Sequence, residues 1–217
     1  MLKTLFGSTL LAVVLNIGSA HAAAVSLPDP TVDVKATAKG SETAVLAGGC
    51  FWCTEAVFDH VIGVEKVISG FSGGDAASAH YETVGAGKTN HAESIEVHFD
   101  PSKISYGTIL KVFFSVAHDP TQLNKQGPDW GRQYRSAIFY KDAEQKRIAE
   151  AYIKQLDAAK VFDKPIVTEV SPLKGFYAAE GYHQHFVKNN PNHPYVLQNS
   201  LPKLAKLKKQ FPELWKP

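Results

Sequence analysis

Cysteine is scarce in this sequence, which contains only two among 217 residues, Cys50 and Cys53. A second closely spaced pair is missing, and with it the ligand spacing of a structural zinc finger. An excess of one charge is also missing: the net charge is only +2, so nothing indicates binding to nucleic acid. With 44% hydrophobic and 20% charged residues and no internal repeats, the chain suits one globular domain plus short appendages.

Long apolar runs are absent except near the N-terminus. Lys3 precedes an apolar stretch from Leu5 to Ile17, which is too short to span a bilayer comfortably. Ala20-His21-Ala22 follows, with the small-x-small pattern of a signal-peptide cleavage site. We therefore expect residues 1–22 to be a signal peptide that is cleaved after Ala22. The protein is then expected to be exported, to a bacterial periplasm, without stable membrane association.

Composition also predicts the domain boundaries. Residues 23–42 are rich in Ala, Pro, Asp, Thr and Ser without periodicity, which predicts a linker. Residues 43–200 carry the periodic segments and form the expected domain. Five lysines are concentrated in residues 201–217, which we interpret as a basic, solvated C-terminal tail. No apolar seam is evident, so we expect a monomer.

The order of the hydrophobic patterns predicts the fold class. Alternating or β-branched runs predict strands at Thr43–Ala47, Gly63–Phe71, Ala92–Phe99, Ser136–Tyr140 and Ile166–Val170. Helical periodicity predicts helices from Cys50, over Ser105–Val116 and over Asp142–Ala159. Residues 76–89 and 118–135 are interpreted as long loops. This order favours an α+β fold, a ferredoxin-like two-layer α/β sandwich with a largely irregular C-terminal extension.

The two cysteines lie where a strand passes into a helix. The strand is followed by Gly48-Gly49, and apolar residues then recur with helical spacing. Cys50 is therefore expected at the helix N-terminus, where unpaired N–H groups and the helix dipole favour the thiolate. Cys53 lies three residues on, on the same helix face, so a modest adjustment would allow a disulfide. The pattern indicates a redox-active pair, because a structural disulfide closing so short a loop restrains the unfolded chain little.

One tetrapeptide and six later segments resemble the motifs of a known enzyme family. Gly49-Cys50-Phe51-Trp52 resembles the signature of class A methionine sulfoxide reductases. The later segments match in order at residues 70–74 (GFSGG), 81–84 (YETV), 87–93 (GKTNHAE), 118–120 (HDP), 129–136 (DWGRQYRS) and 179–184 (AEGYHQ). The resemblance extends from about residue 43 to residue 187, and so many motifs in the same order make it specific.

The resemblance implies a reaction and the residues that perform it. The family reduces the S epimer of methionine sulfoxide, free or in proteins, to methionine, and so repairs oxidised protein. Cys50 matches the nucleophile that attacks the sulfoxide sulfur. Glu93 matches an acid, kept protonated by an apolar pocket, that protonates the departing oxygen. Tyr81 and Tyr134 match phenols that hydrogen-bond the sulfoxide oxygen.

The resemblance also assigns three residues to substrate binding. Phe51 and Trp52 match a hydrophobic cup around the methyl group of the substrate. Asp129 matches an acidic residue that helps to organise this pocket. No cofactor or metal is expected, and the electrons come from an external thiol reductant such as thioredoxin.

The sequence departs from the family pattern at the recycling cysteines. Many members keep these in the C-terminal tail, whereas here no cysteine follows Cys53, which itself stands where many members have glycine. The expected route oxidises Cys50 to a sulfenic acid, condenses it with Cys53 to a disulfide, and reduces that bond through a periplasmic thioredoxin-like protein. In the alternative, Cys53 is inert and an external thiol attacks the sulfenic acid directly.

Three other hypotheses exist for the cysteine pair. A general thiol–disulfide oxidoreductase also has Cys-x-x-Cys where a strand passes into a helix. A metal carrier could combine the cysteines with His183 and His185, although Phe51-Trp52 would crowd a closed tetrahedral site. A structural disulfide in a binding domain is the third hypothesis. None of the three accounts for the motifs around Glu93 and Tyr134.

Overall fold

The computed structural model describes residues 27–34 and 40–217 of the chain. The predicted signal peptide, residues 1–22, lies outside the described residues, and so does part of the predicted linker. Within the two described ranges, no helix is both long and apolar enough to cross a membrane.

From residue 40 onwards, strands and helices alternate along much of the chain. The strands are β1 (Glu42–Gly48), β2 (Val64–Ser72), β3 (Ala92–Phe99), β4 (Lys125–Gln126), β5 (Asp129–Trp130), β6 (Ser136–Tyr140), β7 (Glu169–Pro172) and β8 (Phe176–Ala178). The α-helices are α1 (Phe51–Asp59), α2 (Tyr81–Gly85), α3 (Tyr106–Val112), α4 (Ala143–Ala158), α5 (Phe186–Asn189) and α6 (Leu201–Gln210). A π-helical turn follows α3 over Phe113–Ala117, and another precedes α6 over Val196–Ser200.

Six of these strands form one mixed sheet in the order β7-β6-β1-β3-β2-β8. All neighbours are antiparallel except β6 and β7, which are parallel. Side chains alternate along β1, so Leu46 joins the main core while Val45 joins a small cluster on the opposite face. The helices α1, α3 and α4 supply the other side of the main core, through Phe58, Ile109 and Ile148. The predicted α+β class is confirmed.

The longer strands and helices occur where the sequence pattern predicts them, whereas the short ones do not. β3 and β6 match the prediction residue for residue, and α4 follows Asp142, whose carboxylate accepts the N–H of Gln145 at 2.8 Å as an N-cap. The loop predicted at 76–89 is wrong in part, because it contains α2. The last predicted strand lies too early, since β7 begins at Glu169, and β8 is not predicted. β8 has only three residues and depends on pairing with β2, which no local pattern reports.

The predicted irregular C-terminal extension is wrong. Residues 201–217, predicted as a basic tail, include α6, and Leu207 and Phe211 are buried in the main core. α6 packs against α1 and against the π-helical turn that follows α3. Leucines at 201, 204 and 207 recur at helical spacing, but the lysines between them obscure this pattern.

Part of the predicted linker also packs on the domain. Leu27 is buried in the main core. The carboxylate of Asp33 accepts a hydrogen bond from the hydroxyl of Ser105, the N-cap residue of α3. Residues 27–34 therefore contact the domain rather than standing apart from it.

Candidate active site

The chain turns from β1 into α1 through Gly49, which has a φ of +85°. A side chain at this position would be strained, and its Cβ would lie 2.4 Å from the Cβ of Gln126. α1 begins at Phe51 with Cys50 as its N-cap residue, which confirms the predicted place of Cys50 at the helix N-terminus. Cys50 is 8% exposed, so its thiol lies close beneath the surface.

The two cysteines are free thiols, and each changes the pKa of the other. Burial, and then the hydrogen bond to Cys53, raise the pKa of Cys50 well above its usual value. The pKa of Cys53 is lowered to about 6, chiefly by the hydrogen bond from Cys50 and further by the Lys203 ammonium and the Ser200 hydroxyl. The reduced pair therefore shares one negative charge at neutral pH, drawn towards Cys53. The thiolate expected on Cys50 stays a prediction, since burial and the neighbouring Cys53 sulfur both raise the pKa of Cys50 in this reduced conformation.

Glu93 projects from β3 against the first turn of α1. Its carboxyl oxygen accepts the N–H of Phe51 at 3.0 Å, and the residue is only 2% exposed. Burial, aided by the charges of Asp129 and Cys53, raises the pKa of Glu93 to about 8. The group therefore keeps its proton at neutral pH, which is what a general acid in this position requires.

Two half-buried phenols surround the same site. Tyr81 is the first residue of α2, and Tyr134 ends a short 3₁₀ turn ahead of β6. Burial, and then the charge of Glu93, raise the pKa of Tyr81 to about 12 and that of Tyr134 also far above neutral pH. The charge of Cys50 acts on both phenols as well. Both hydroxyl groups are thus protonated donors close to the thiol and the buried acid.

The two aromatic residues between the cysteines differ in exposure. Phe51 is completely buried and lies behind the site, with its ring centroid 5.7 Å from that of Phe71. Trp52 is half-buried and stacks on Phe186 with ring centroids 3.7 Å apart. Its indole N–H donates to Nδ1 of His183 at 3.0 Å. Of the two predicted cup residues, Trp52 alone has exposed surface in this conformation.

Asp129 is positioned by a short hairpin within the predicted loop at 118–135. The hairpin is formed by β4 and β5, and Asp129 begins β5. Its carboxylate accepts the hydroxyl of Tyr195 at 2.5 Å, and the same phenol lies close enough to Cys50 to lower the pKa of that thiol. Burial raises the pKa of Asp129 against the lowering effect of Tyr195. The structure thus brings Asp129 to the thiol pair through Tyr195.

Three site residues from the C-terminal segment are missed by the sequence analysis. Tyr195 bridges Asp129 and Cys50, the Ser200 hydroxyl lies 3.1 Å from the Cys53 sulfur, and the charge of Lys203 acts on Cys53. The spacing of the leucines in α6 is a signal that could have placed the helix. Its packing on α1 depends on tertiary contacts that no local pattern shows.

The two histidines of the metal-carrier hypothesis have other partners. His183 accepts the hydrogen bond from Trp52, and burial lowers the pKa of its ring. His185 lies beside Glu55 and Asp59, and in the described ranges these three residues offer ligand atoms within 4.8 Å of one another. Burial raises the pKa of Glu55 to about 7. Neither contact joins a histidine to the two cysteines.

A buried thiol pair beside a protonated carboxyl group and two phenols defines a thiol-based oxidoreductase. Comparison with known proteins specifies the family. The family model described as peptide methionine sulfoxide reductase matches residues 42–215. Peptide methionine sulfoxide reductase MsrA 2 of Mesorhizobium japonicum is 58% identical over 184 residues, which cover 85% of this chain and 94% of the relative. MsrA 2 of Synechocystis sp. is 57% identical over 188 residues, 85% of this chain and 88% of the relative.

Solved structures agree with this assignment. Methionine sulfoxide reductase A of Corynebacterium diphtheriae has a TM-score of 0.59 and 35% identity, and the match covers 71% of this chain and 77% of that one. Mxr1 of Saccharomyces cerevisiae in reduced form has a TM-score of 0.65 and 31% identity, over 77% of this chain and 94% of that one. The chain belongs to the peptide methionine sulfoxide reductase A family, whose members are peptide-methionine (S)-S-oxide reductases.

Proposed function

We propose that this protein reduces methionine-S-sulfoxide, free or in peptides and proteins, to methionine, with Cys50 as the group that takes up the oxygen. The observation that carries the proposal is the protonated Glu93 held against the helix start beside Cys50. Removal of an oxygen atom needs a proton donor, which the protonated Glu93 and the two phenols supply. The relatives that match the chain are named for this activity.

In the first step the Cys50 sulfur attacks the sulfur of the sulfoxide. The proton of the Cys50 thiol passes to the neighbouring Cys53 sulfur, whose pKa is lowered to about 6, as the attack proceeds. Glu93 protonates the oxygen, and the phenols of Tyr81 and Tyr134 hydrogen-bond it. The S–S bond formed in the attack and the S–O bond of the substrate then break as the protonated oxygen transfers to the Cys50 sulfur, and methionine leaves. Cys50 is oxidised to a sulfenic acid as the substrate sulfur is reduced to a thioether.

Cys53 resolves the sulfenic acid in the second step. Its sulfur lies beside Cys50, and as it attacks it releases the proton that it took up in the first step. Attack on the Cys50 sulfur forms a disulfide and releases the oxygen as water. A thioredoxin-like dithiol protein then reduces the disulfide by exchange. No prosthetic group takes part in this scheme.

The substrate pocket uses the aromatic residues of the first helical turn. Trp52 is partly exposed beside the thiol and presents an apolar surface to the methyl group of the substrate. Phe51 supports it from the core, and Asp129 fixes Tyr195 against Cys50. These contacts support the substrate-binding roles proposed for Phe51, Trp52 and Asp129.

The finer description of the fold and its setting is also proposed. The central strands β6-β1-β3-β2 are antiparallel, α1 joins β1 to β2, and α3 lies between β3 and β6, which supports a ferredoxin-like plait extended by β7 and β8. The N-terminal sequence pattern supports a signal peptide over residues 1–22 and export to a periplasm. A monomer remains the proposed state.

Single-turnover reduction of the two sulfoxide epimers, followed by a thiol count, tests the proposed function. Pre-reduced protein without added reductant should form one methionine per protein from the S epimer alone, with both thiols lost. The Cys53→Ser variant should still form one methionine per protein, more slowly because it lacks the Cys53 proton acceptor, and should form no disulfide. If the wild type keeps one thiol after turnover, an external thiol must resolve Cys50. No methionine from either epimer would contradict the reductase proposal.

A further inference from the structure

The C-terminal segment contacts Cys53 directly. Ser200 ends the π-helical turn ahead of α6, and its hydroxyl lies 3.1 Å from the Cys53 sulfur. The two residues are almost completely buried, at 0% and 1% exposure. A buried sulfur that receives a hydrogen bond from a hydroxyl group is stabilised as a thiolate.

Lys203 adds a positive charge near the start of the same helix. Its ammonium group donates to the carbonyl of Ala117 at 2.6 Å, at the end of the π-helical turn that follows α3. This contact fixes the side chain without neutralising its charge. In the described part of the chain, Lys203 belongs to no ion pair. Its charge acts on Cys53 and also on the nearby carboxylate of Asp129.

We propose that Ser200 and Lys203 hold Cys53 as a preset thiolate, so that Cys53 is ready to attack the oxidised Cys50. This inference rests on the proposed function, in which Cys53 resolves the sulfenic acid. In that step the Cys53 sulfur forms the S–S bond, the S–O bond of Cys50 breaks, and hydroxide leaves and takes up a proton to become water. Cys53 is oxidised as the sulfenic sulfur is reduced, so no further redox partner is needed.

The two residues matter most after the first half of the reaction. In the reduced pair, the hydrogen bond from the Cys50 thiol is the largest contribution that lowers the pKa of Cys53. That thiol no longer exists once Cys50 is a sulfenic acid. What remains is the ammonium of Lys203 and the hydroxyls of Ser200 and Tyr195.

The other ionisable groups around Cys53 do not replace this contribution. Glu93 on β3 keeps its proton, and as an anion it would repel a thiolate. The Tyr195 phenol is held protonated by burial and by the two cysteines, and it also donates to Asp129. Among these groups around Cys53, Lys203 supplies the positive charge. It lies on α6, which contains none of the family motifs found in the sequence.

The Lys203→Met variant tests the inference, with Lys203→Arg and Lys209→Met as controls on the same helix. Pre-reduced protein is mixed with methionine-S-sulfoxide at neutral pH, and methionine, trapped sulfenic acid and free thiols are followed in time. Disulfide formation in Lys203→Met should slow at neutral pH, by up to about tenfold for each unit by which the pKa of Cys53 comes to exceed the pH. Sulfenic acid should then accumulate, and higher pH should restore the rate. Methionine formation should slow less, and both controls should behave like the wild type.

A second readout isolates the ionisation of Cys53. In a Cys50→Ser background, the rate at which Cys53 reacts with an alkylating reagent is measured against pH. The midpoint of this profile should rise when Lys203 is replaced by Met and should not change when Lys209 is replaced by Met. Ser200→Ala should move the same midpoint in the same direction. Because this variant keeps the contact between Lys203 and Ala117, it serves if Lys203→Met does not fold.

The outcomes separate the inference from the proposed function. Wild-type rates of disulfide formation and unshifted midpoints in both Lys203→Met and Ser200→Ala would overturn the inference and leave Cys53 as the resolving residue. A wild-type protein that keeps one thiol after turnover would instead overturn the resolving step on which the inference rests.

Discussion

Glu93 illustrates how packing sets the proton affinity of a single side chain, since an exposed glutamate is ionised at neutral pH. Burial raises the pKa of Glu93 to about 8, while the pKa of Cys53 is lowered to about 6. The first step needs an ionised thiol pair and a protonated Glu93. Methionine formation in a single turnover should therefore rise with pH through about 6 and fall through about 8. A rate that keeps rising well above this window would contradict the acid role of Glu93.

Replacing Glu93 with Gln removes the proton donor and keeps the size of the side chain. We expect the rate of methionine formation to fall about 10²–10⁴-fold, the usual contribution of a positioned general acid. The decline at high pH should also disappear, because Gln does not titrate. Glu96→Gln is the matched control on β3, since that carboxylate pairs with His98 at 2.8 Å. A Glu93→Gln rate close to that of the wild type would assign the proton to another group.

The motifs locate the residues of the site better than they describe their ionisation. Cys50 is at the helix start and Glu93 is buried beside it, as the sequence predicts. The pKa of Cys53 is lowered chiefly by Cys50, and further by Lys203 and Ser200, which come from a segment far along the chain. The local sequence predicts where the helix starts. It does not show which groups from distant parts of the chain lie around that helix start.

Helix α6 contributes both to the core, through Leu207, and to the surroundings of Cys53, through Lys203. Leu207 is completely buried in the main core, whereas Leu201 on the same helix is 38% exposed. Leu207→Ala should lower the free energy of unfolding by about 2–5 kcal/mol, because it leaves a cavity in the core. Leu201→Ala should lower it by less than about 1 kcal/mol. Equal effects in denaturant unfolding would show that α6 does not pack on the core as described.

Strands and helices differ in how far their own residues determine them. β3 and β6 follow from alternation and β-branched residues, and α4 from a long apolar face with Asp142 as its cap. β8 has only three residues and α2 only five, so both depend on tertiary contacts. α6 has the periodicity of a helix but a lysine-rich composition that favours a solvated tail. For this segment, composition predicts a tail and periodicity predicts a helix. The structure has a helix, in which Leu207 is buried in the core.

For the molecule as a whole, the buried carboxyl of Glu55 should couple stability to pH. Its pKa is raised to about 7 by burial, whereas an unfolded glutamate has a pKa of about 4.3. Between these values the folded state keeps the proton that the unfolded state releases, so this group costs stability as the pH rises. The cost grows by up to about 1.4 kcal/mol per pH unit and levels off above pH 7.

Denaturant unfolding of Glu55→Gln alongside the wild type measures this coupling. The variant should gain stability relative to the wild type as the pH rises from about 4.3 to about 7. Asp157→Asn, which removes an exposed carboxylate on the last turn of α4, is the matched control. A difference between Glu55→Gln and the wild type that is independent of pH would mean that Glu55 ionises normally in the folded protein.

The oxygen-accepting role of Cys50 can be measured by intact-mass analysis of the Cys53→Ser variant after one turnover with methionine-S-sulfoxide. Without Cys53 the sulfenic acid has no internal partner, so it should persist long enough to be trapped. We expect one methionine per protein and one added oxygen atom, located on Cys50 by fragmentation, and neither product in Cys50→Ser. Methionine formation by Cys50→Ser, or by Cys53→Ser with Cys50 unmodified, would contradict the mechanism proposed for this enzyme.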